Sequence, residues 1–206
     1  FNFFIIPLSF GLTLLGPHAI LLYGSEKYVA AGTLTSLFAF RTIISALDTI
    51  LGSQILFVNG FEKRITLYTL STGLLNLSLN SLLFYNKIFE PEFYLITTII
   101  SEIVLLIIYI LFINKKKLFN LKNIFKYTLK YSLFSSTFLL VYFIVNYIYP
   151  AELVINLRFL INTASIILLS ICSYIILLVI NKDSVFLELY NNLLSLKNKF
   201  IINRRS

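Results

Sequence analysis

Apolar residues in this chain come in long runs rather than in the alternation of a strand or the narrow stripe of a soluble helix. The runs cover residues 3–23, 30–63, 65–84, 94–113, 131–149 and 157–180, with short polar turns between them. A helix rises about 1.5 Å per residue, so about 20 residues cross the roughly 30 Å hydrocarbon layer of a bilayer. The pattern therefore predicts an all-α, polytopic membrane helix bundle of six transmembrane helices over residues 1–184. Beyond it, Phe186, Leu189, Leu193, Leu196 and Phe200 recur at helical spacing, with Lys197, Lys199, Arg204 and Arg205 among or after them. That predicts an amphipathic, basic cytoplasmic tail over 185–206, lying on the inner leaflet or packed as a terminal helix.

Polar residues interrupt the runs in an ordered way. Pro7, Gly11 and the pair Gly16-Pro17 remove or loosen helical hydrogen bonds, which predicts a kinked, cavity-facing first helix. Residues 24–28 (GSEKY) form a tight turn, and Asn59-Gly60 suits a C-terminal cap. Arg41 and Asp48 lie inside the second run and Glu102 inside the fourth. A charge at membrane depth costs roughly 2.5 to 3.5 kcal/mol on insertion scales, so such side chains face protein or a watery cavity. Arg41, Ser45, Asp48 and Gly52 follow i, i+4, i+7, i+11 spacing and share one helix face. Thr69, Gly73, Asn76 and Asn80 do the same in the third run, a stripe suited to close helix contact and to hydrogen bonds across helices or to a ligand.

Counted along their helices, Glu102 lies about 12 Å and Arg41 about 18 Å below the corresponding ends. At such similar depths an ion pair or shared hydration is expected, and two roles stay open for Arg41: contact with an anion, or a structural pair with Glu102 or Asp48. Asp48 and Glu102 are the candidates for a coupling ion, a proton or sodium, or for that ion pair. His18, just past the break in the first run, is a possible proton carrier or ligand donor, or a hydrogen-bonded group near the interface. The last two runs have no ionisable residue in their middles and are expected to form the wall of the bundle.

Composition agrees: 58% of the residues are hydrophobic, 13% are charged and the mean hydropathy is +0.89. The formal net charge of +8 does not point to nucleic acid, because Lys and Arg gather in a few connections beside the apolar runs. Residues 62–64, 114–130 and the tail hold thirteen of them, against Lys27, Lys87 and Arg158 on the alternate connections. The positive-inside rule then places both ends in the cytoplasm. The basic run Lys115, Lys116, Lys117, Lys122, Lys126 and Lys130 is expected to fix orientation and to touch anionic membrane lipids.

Several activities are excluded. The outer connections are too short to build a catalytic carboxylate or histidine site, so no catalytic residue and no enzyme activity is expected. No His, Cys, Asp or Glu group has metal-ligand spacing, Cys172 is alone, and no phosphate-binding glycine loop is present, so neither metal nor cofactor is expected. The first run lacks the basic start and cleavage site of a signal peptide and is expected to stay in the mature chain. The chain starts at Phe1 and contains no Met, as expected of a piece of a longer protein.

The joints of the first half carry a family resemblance. The pattern P(x3)GL(x2)L from Pro7 to Leu15, ILLYGSEKY at 20–28, LGSQILFVNGFEK at 51–63 and GLLNLSLN at 73–80 resemble oligosaccharide flippases of the Wzx type. These belong to the multidrug/oligosaccharidyl-lipid/polysaccharide exporter superfamily. The second half agrees in span number and charge placement alone. The resemblance implies that this chain is the second lobe of a two-lobe exporter fold, with an N-terminal lobe missing, in a bacterial cytoplasmic membrane. It implies as substrate an undecaprenyl-diphosphate-linked oligosaccharide for capsule or O-antigen polymers, with a polysaccharide polymerase and glycosyltransferases as partners. On that view Arg41 meets the diphosphate, and Asn76 and Asn80 meet sugar hydroxyls. The rival readings are a multidrug/cation antiporter of the same superfamily, which needs a carboxylate and not Arg41, and a non-transporting membrane scaffold of a polysaccharide assembly complex.

Overall fold

The structure, a computed structural model, describes residues 2–203, except the side chains of residues 194 and 196–203. The tail residues Leu196, Lys197, Lys199, Phe200, Arg204 and Arg205, singled out above, lie outside the described side chains. The chain folds as α1 (Asn2–Leu14), α2 (Gly16–Gly24), a short 3-10 turn (Glu26–Ala31), α3 (Gly32–Thr49) running on into a π-helical segment (Ile50–Phe57), and α4 (Glu62–Tyr85). There follow α5 (Pro91–Lys116), α6 (Lys122–Ser135), α7 (Thr137–Ile148), α8 (Leu157–Ile180) and α9 (Ser184–Asn203). The all-α class is borne out, with no strand among the described residues.

The predicted kink is present: α1 and α2 meet at 77°. Pro17 sits in the first turn of α2, where its missing N–H leaves no helical carbonyl unserved. Gly16 and Gly32 allow α2 to lie directly on α3. A Cβ on Gly16 would come within 2.7 Å of the Gly32 carbonyl oxygen, and one on Gly32 within 2.6 Å of the Pro17 Cα. No side chain fits there. The predicted cap at Asn59-Gly60 also forms, with Gly60 at φ +78° and the Phe61 N–H donating to the Leu56 carbonyl at 3.0 Å.

Four helical stretches are long and apolar enough to cross a membrane: Glu26–Phe57, Pro91–Lys116, Lys122–Ile148 and Leu157–Ile180. The bent pair of α1 and α2 makes a fifth if it counts as one span. Helix α4, which carries the predicted third span, has 24 residues, but its Thr, Ser and Asn residues keep it out of that set. The outer faces are greasy, as lipid contact requires: Leu111, Leu140, Phe143 and Leu168 are largely exposed.

Three cores form among the described residues; the smallest is Leu15, Val145 and Ile166, and the two larger hold most of the bundle. In one, Leu51, Leu56, Tyr109 and Ile113 pack α3 and its π-helical end on α5, with Tyr68 of α4 alongside. In the other, Phe3, Ile6, Tyr131, Phe138, Tyr174 and Leu178 join α1, α6, α7 and α8. The Tyr174 hydroxyl donates to the Phe3 carbonyl at 3.0 Å, closing α8 on α1. Helix α1 packs along both α3 and α6 and so ties the two groups together.

Candidate functional site

Helices α3 and α5 run parallel, with the predicted polar stripe of α3 turned toward α5. Arg41 meets Glu102 at one end of the stripe, and Gly52 meets Tyr109 seven residues further along α5. The Arg41 Nε donates to both Glu102 oxygens at 2.9 and 3.0 Å, and Nη2 donates to Oε1. Ser45 Oγ adds a longer donation to Oε2 at 3.4 Å. Of the two roles left open for Arg41, the ion pair with Glu102 is thus formed. The pair uses one edge of the guanidinium, and Nη1 has no hydrogen-bond partner among the described residues. The two side chains keep 31% and 18% of their surface exposed.

Helix α4 packs antiparallel on α5 through its own polar stripe. Asn80 Oδ1 accepts from Thr97 Oγ1 at 2.5 Å, Asn76 Nδ2 donates to Thr98 Oγ1 at 3.3 Å, and Thr69 and Tyr109 share a hydroxyl contact at 3.3 Å. Both asparagines therefore serve at least as links between helices. Between α3, α4 and α5 lies a cavity of about 210 Å³ onto which Asp48, Thr72, Asn76, Thr98, Ser101 and Glu102 open. Two of its oxygens, Asp48 Oδ1 and Asn76 Oδ1, are buried without a hydrogen-bond partner. A buried unpaired carboxylate oxygen is costly unless a proton, cation or donor meets it. Arg41 stands beside this cavity, with Glu102 between.

His18 is elsewhere. It is 6% exposed, stacks on Phe159 with ring centres 5.3 Å apart and lies edge-on to Tyr142, so it belongs to the contact of α2 with α7 and α8. Its Nδ1 has no partner. The hydrogen bond expected of it at an interface is not made by that nitrogen.

The sequence pattern missed a second ion pair. Asp183, 1% exposed, accepts from Lys130 Nζ at 2.5 Å, from the Tyr131 hydroxyl at 3.3 Å and from the Phe186 N–H at 3.0 Å. Burial pushes its carboxyl up, but these donors and the Lys130 charge outweigh it and hold the group below its ordinary value. A sequence signal existed: an Asp immediately before a helix-starting Ser is a common N-cap. Tyr109 was also missed, though it stands at i+7 from Glu102 and therefore on the same face.

Among the described residues no group of three or more His, Cys, Asp or Glu side chains could hold a metal ion. Compared with protein-family models, with curated proteins and with solved structures, the chain matches none.

Proposed function

We propose that this chain is a six-span lobe of a membrane exporter that moves an undecaprenyl-diphosphate-linked oligosaccharide across a bacterial cytoplasmic membrane, with both ends in the cytoplasm. The bent pair of α1 and α2, then α3, α4, α5, the joined α6 and α7, and α8 are the six spans. Helix α4 serves as one of them because its 24 residues reach about 36 Å, Thr69, Asn76 and Asn80 bond to α5, and the hydroxyls of Thr66, Ser71, Ser78 and Ser81 are satisfied by carbonyls of α4 itself. A further lobe, a polysaccharide polymerase and glycosyltransferases are the expected partners.

The observation that carries the reading is the half-used guanidinium of Arg41, held within an apolar helix beside a polar cavity. A diphosphate and a hydrated sugar cannot cross about 30 Å of hydrocarbon unaided. Arg41 offers its remaining donors to a phosphate oxygen, with the planar geometry that favours such contacts. Glu102 then acts as a stand-in anion that keeps Arg41 paired while no passenger is present. Asn76 and Thr98 lie on the cavity side, where sugar hydroxyls can replace their weak 3.3 Å contact. The test is export by the complete transporter in cells: Arg41→Lys and Arg41→Gln keep the protein in the membrane and lower export, and undiminished export by Arg41→Gln removes the reading.

One observation favours a second reading, a cation antiporter of the same superfamily. The unpaired Asp48 and Asn76 oxygens face one cavity and suit a proton or a sodium ion better than a phosphate. In that case Asp48→Asn abolishes transport and Arg41→Gln leaves it intact.

A further inference from the structure

We propose that α9 is a membrane-surface helix that docks on an anionic leaflet, held at its root by the buried Asp183–Lys130 pair. This does not depend on which passenger the spans carry.

The root is fixed by three donors from two directions. Lys130 and Tyr131 of α6 reach Asp183 from one side, and the Phe186 N–H in the first turn of α9 reaches it from the other. The Lys130 ammonium also lies 5.5 Å from the centre of the Phe134 ring. Lys130 lies about two turns into α6, past Lys122 and Lys126 on the same helix, so this contact puts the start of α9 toward the basic end of the bundle. Under the positive-inside rule that end faces the anionic leaflet.

Past the root, α9 leaves the bundle with an uncovered apolar side. Phe186 packs against the α1–α6–α8 core, but Leu189, Tyr190 and Leu193 are 36%, 53% and 65% exposed. Asn191, Asn192 and Ser195 occupy the opposite side of the helical wheel. Charge selects the occupant of the apolar side. In sequence, Lys182 and, beyond the described side chains, Lys197, Lys199, Arg204 and Arg205 stand against Glu188, since the charge of Asp183 is already matched by Lys130. An apolar stripe with surplus cations fits a bilayer surface rich in acidic headgroups.

The experiment uses the full chain in lipid nanodiscs, with the exposed Cys172 replaced by Ser. Single cysteines at Leu189, Leu193, Asn191 or Asn192 carry an environment-sensitive dye, and phosphatidylglycerol with brominated chains serves as quencher. Quenching at Leu189 and Leu193 is expected to be about threefold stronger than at the two asparagines, and to weaken when brominated phosphatidylcholine is the only lipid. Asp183→Asn should shrink the contrast between faces while the helical circular dichroism stays unchanged. Equal quenching on both faces, or an apolar face shielded from both lipids as by a protein partner, overturns the docking. Equal quenching by the two lipids overturns the anionic preference, and an undiminished contrast in Asp183→Asn overturns the root.

Discussion

Glu102→Gln isolates what the ion pair of α3 and α5 contributes. The substitution keeps the volume and leaves Arg41 charged with no carboxylate among its hydrogen-bond partners. Removing one member of a fully buried pair costs about 3–5 kcal/mol, whereas an exposed pair is worth about 0–1 kcal/mol. With Arg41 31% and Glu102 18% exposed, the pair falls between these limits, and about 2 kcal/mol is the expected loss. For a chain of this length that lowers the midpoint of thermal unfolding by about 4–8 °C. The assay is thermal unfolding in nanodiscs, followed by retained monodispersity, for Glu102→Gln and for the closed cycle of Glu102→Met, Arg41→Met and Arg41→Met/Glu102→Met. The double variant should recover most of the loss, because two apolar side chains remove both desolvated charges together. If the two single losses simply add, with a coupling below about 0.5 kcal/mol, the pairing argument fails.

Other substitutions probe the remaining elements. Gly32→Ala should destabilise by about 1–3 kcal/mol, since its Cβ would press on the Pro17 backbone, and the loss should appear in the same unfolding assay; Gly73→Ala, where a Cβ meets nothing within 4 Å, should be harmless. Asn80→Ala removes an α4–α5 link and should cost about 0.5–1.5 kcal/mol, read by unfolding of matched samples. The root of α9 should be acid-sensitive. The Asp183 carboxyl sits below its ordinary value in the folded chain, so its stabilisation is complete above about pH 4 and is lost as pH falls through the folded value. Limited proteolysis of α9 at falling pH should accelerate in the wild type and be fast at every pH in Asp183→Asn.

What the hydrophobic pattern made legible was the helical class, the break at Gly16-Pro17, the cap at Gly60 and the stripe carrying Arg41, Ser45 and Asp48. These follow from local rules: proline lacks an N–H, glycine tolerates positive φ, and a 3.6-residue period sets which side chains share a face. The pairing of Arg41 with Glu102 was legible because unpaired charges are too costly at membrane depth. Asp183 was hidden because its environment is made by Lys130 and Tyr131, more than fifty residues earlier, and no local period reveals that contact. The π-helical run at Ile50–Phe57 was hidden as well. Its apolar sequence fits an α-helix equally, and the ring of Tyr109 against Gly52 is one of the tertiary contacts made there, beside the packing of Leu51 and Leu56 on α5. The place of α4 was hidden on the same ground, since the bonds of Thr69, Asn76 and Asn80 to α5 are tertiary contacts.

The central claim is that Arg41 receives a diphosphate-bearing lipid passenger in place of Glu102. Its most direct test is equilibrium binding of undecaprenyl diphosphate, undecaprenyl monophosphate and the neutral polyprenol to the chain in nanodiscs, for wild type and Arg41→Gln. The account predicts that the wild type prefers the diphosphate over the neutral polyprenol by about tenfold or more, the scale of one charge-assisted contact, and that Arg41→Gln erases the preference. Equal affinity for charged and neutral lipids in the wild type, or an unchanged preference in Arg41→Gln, would contradict it.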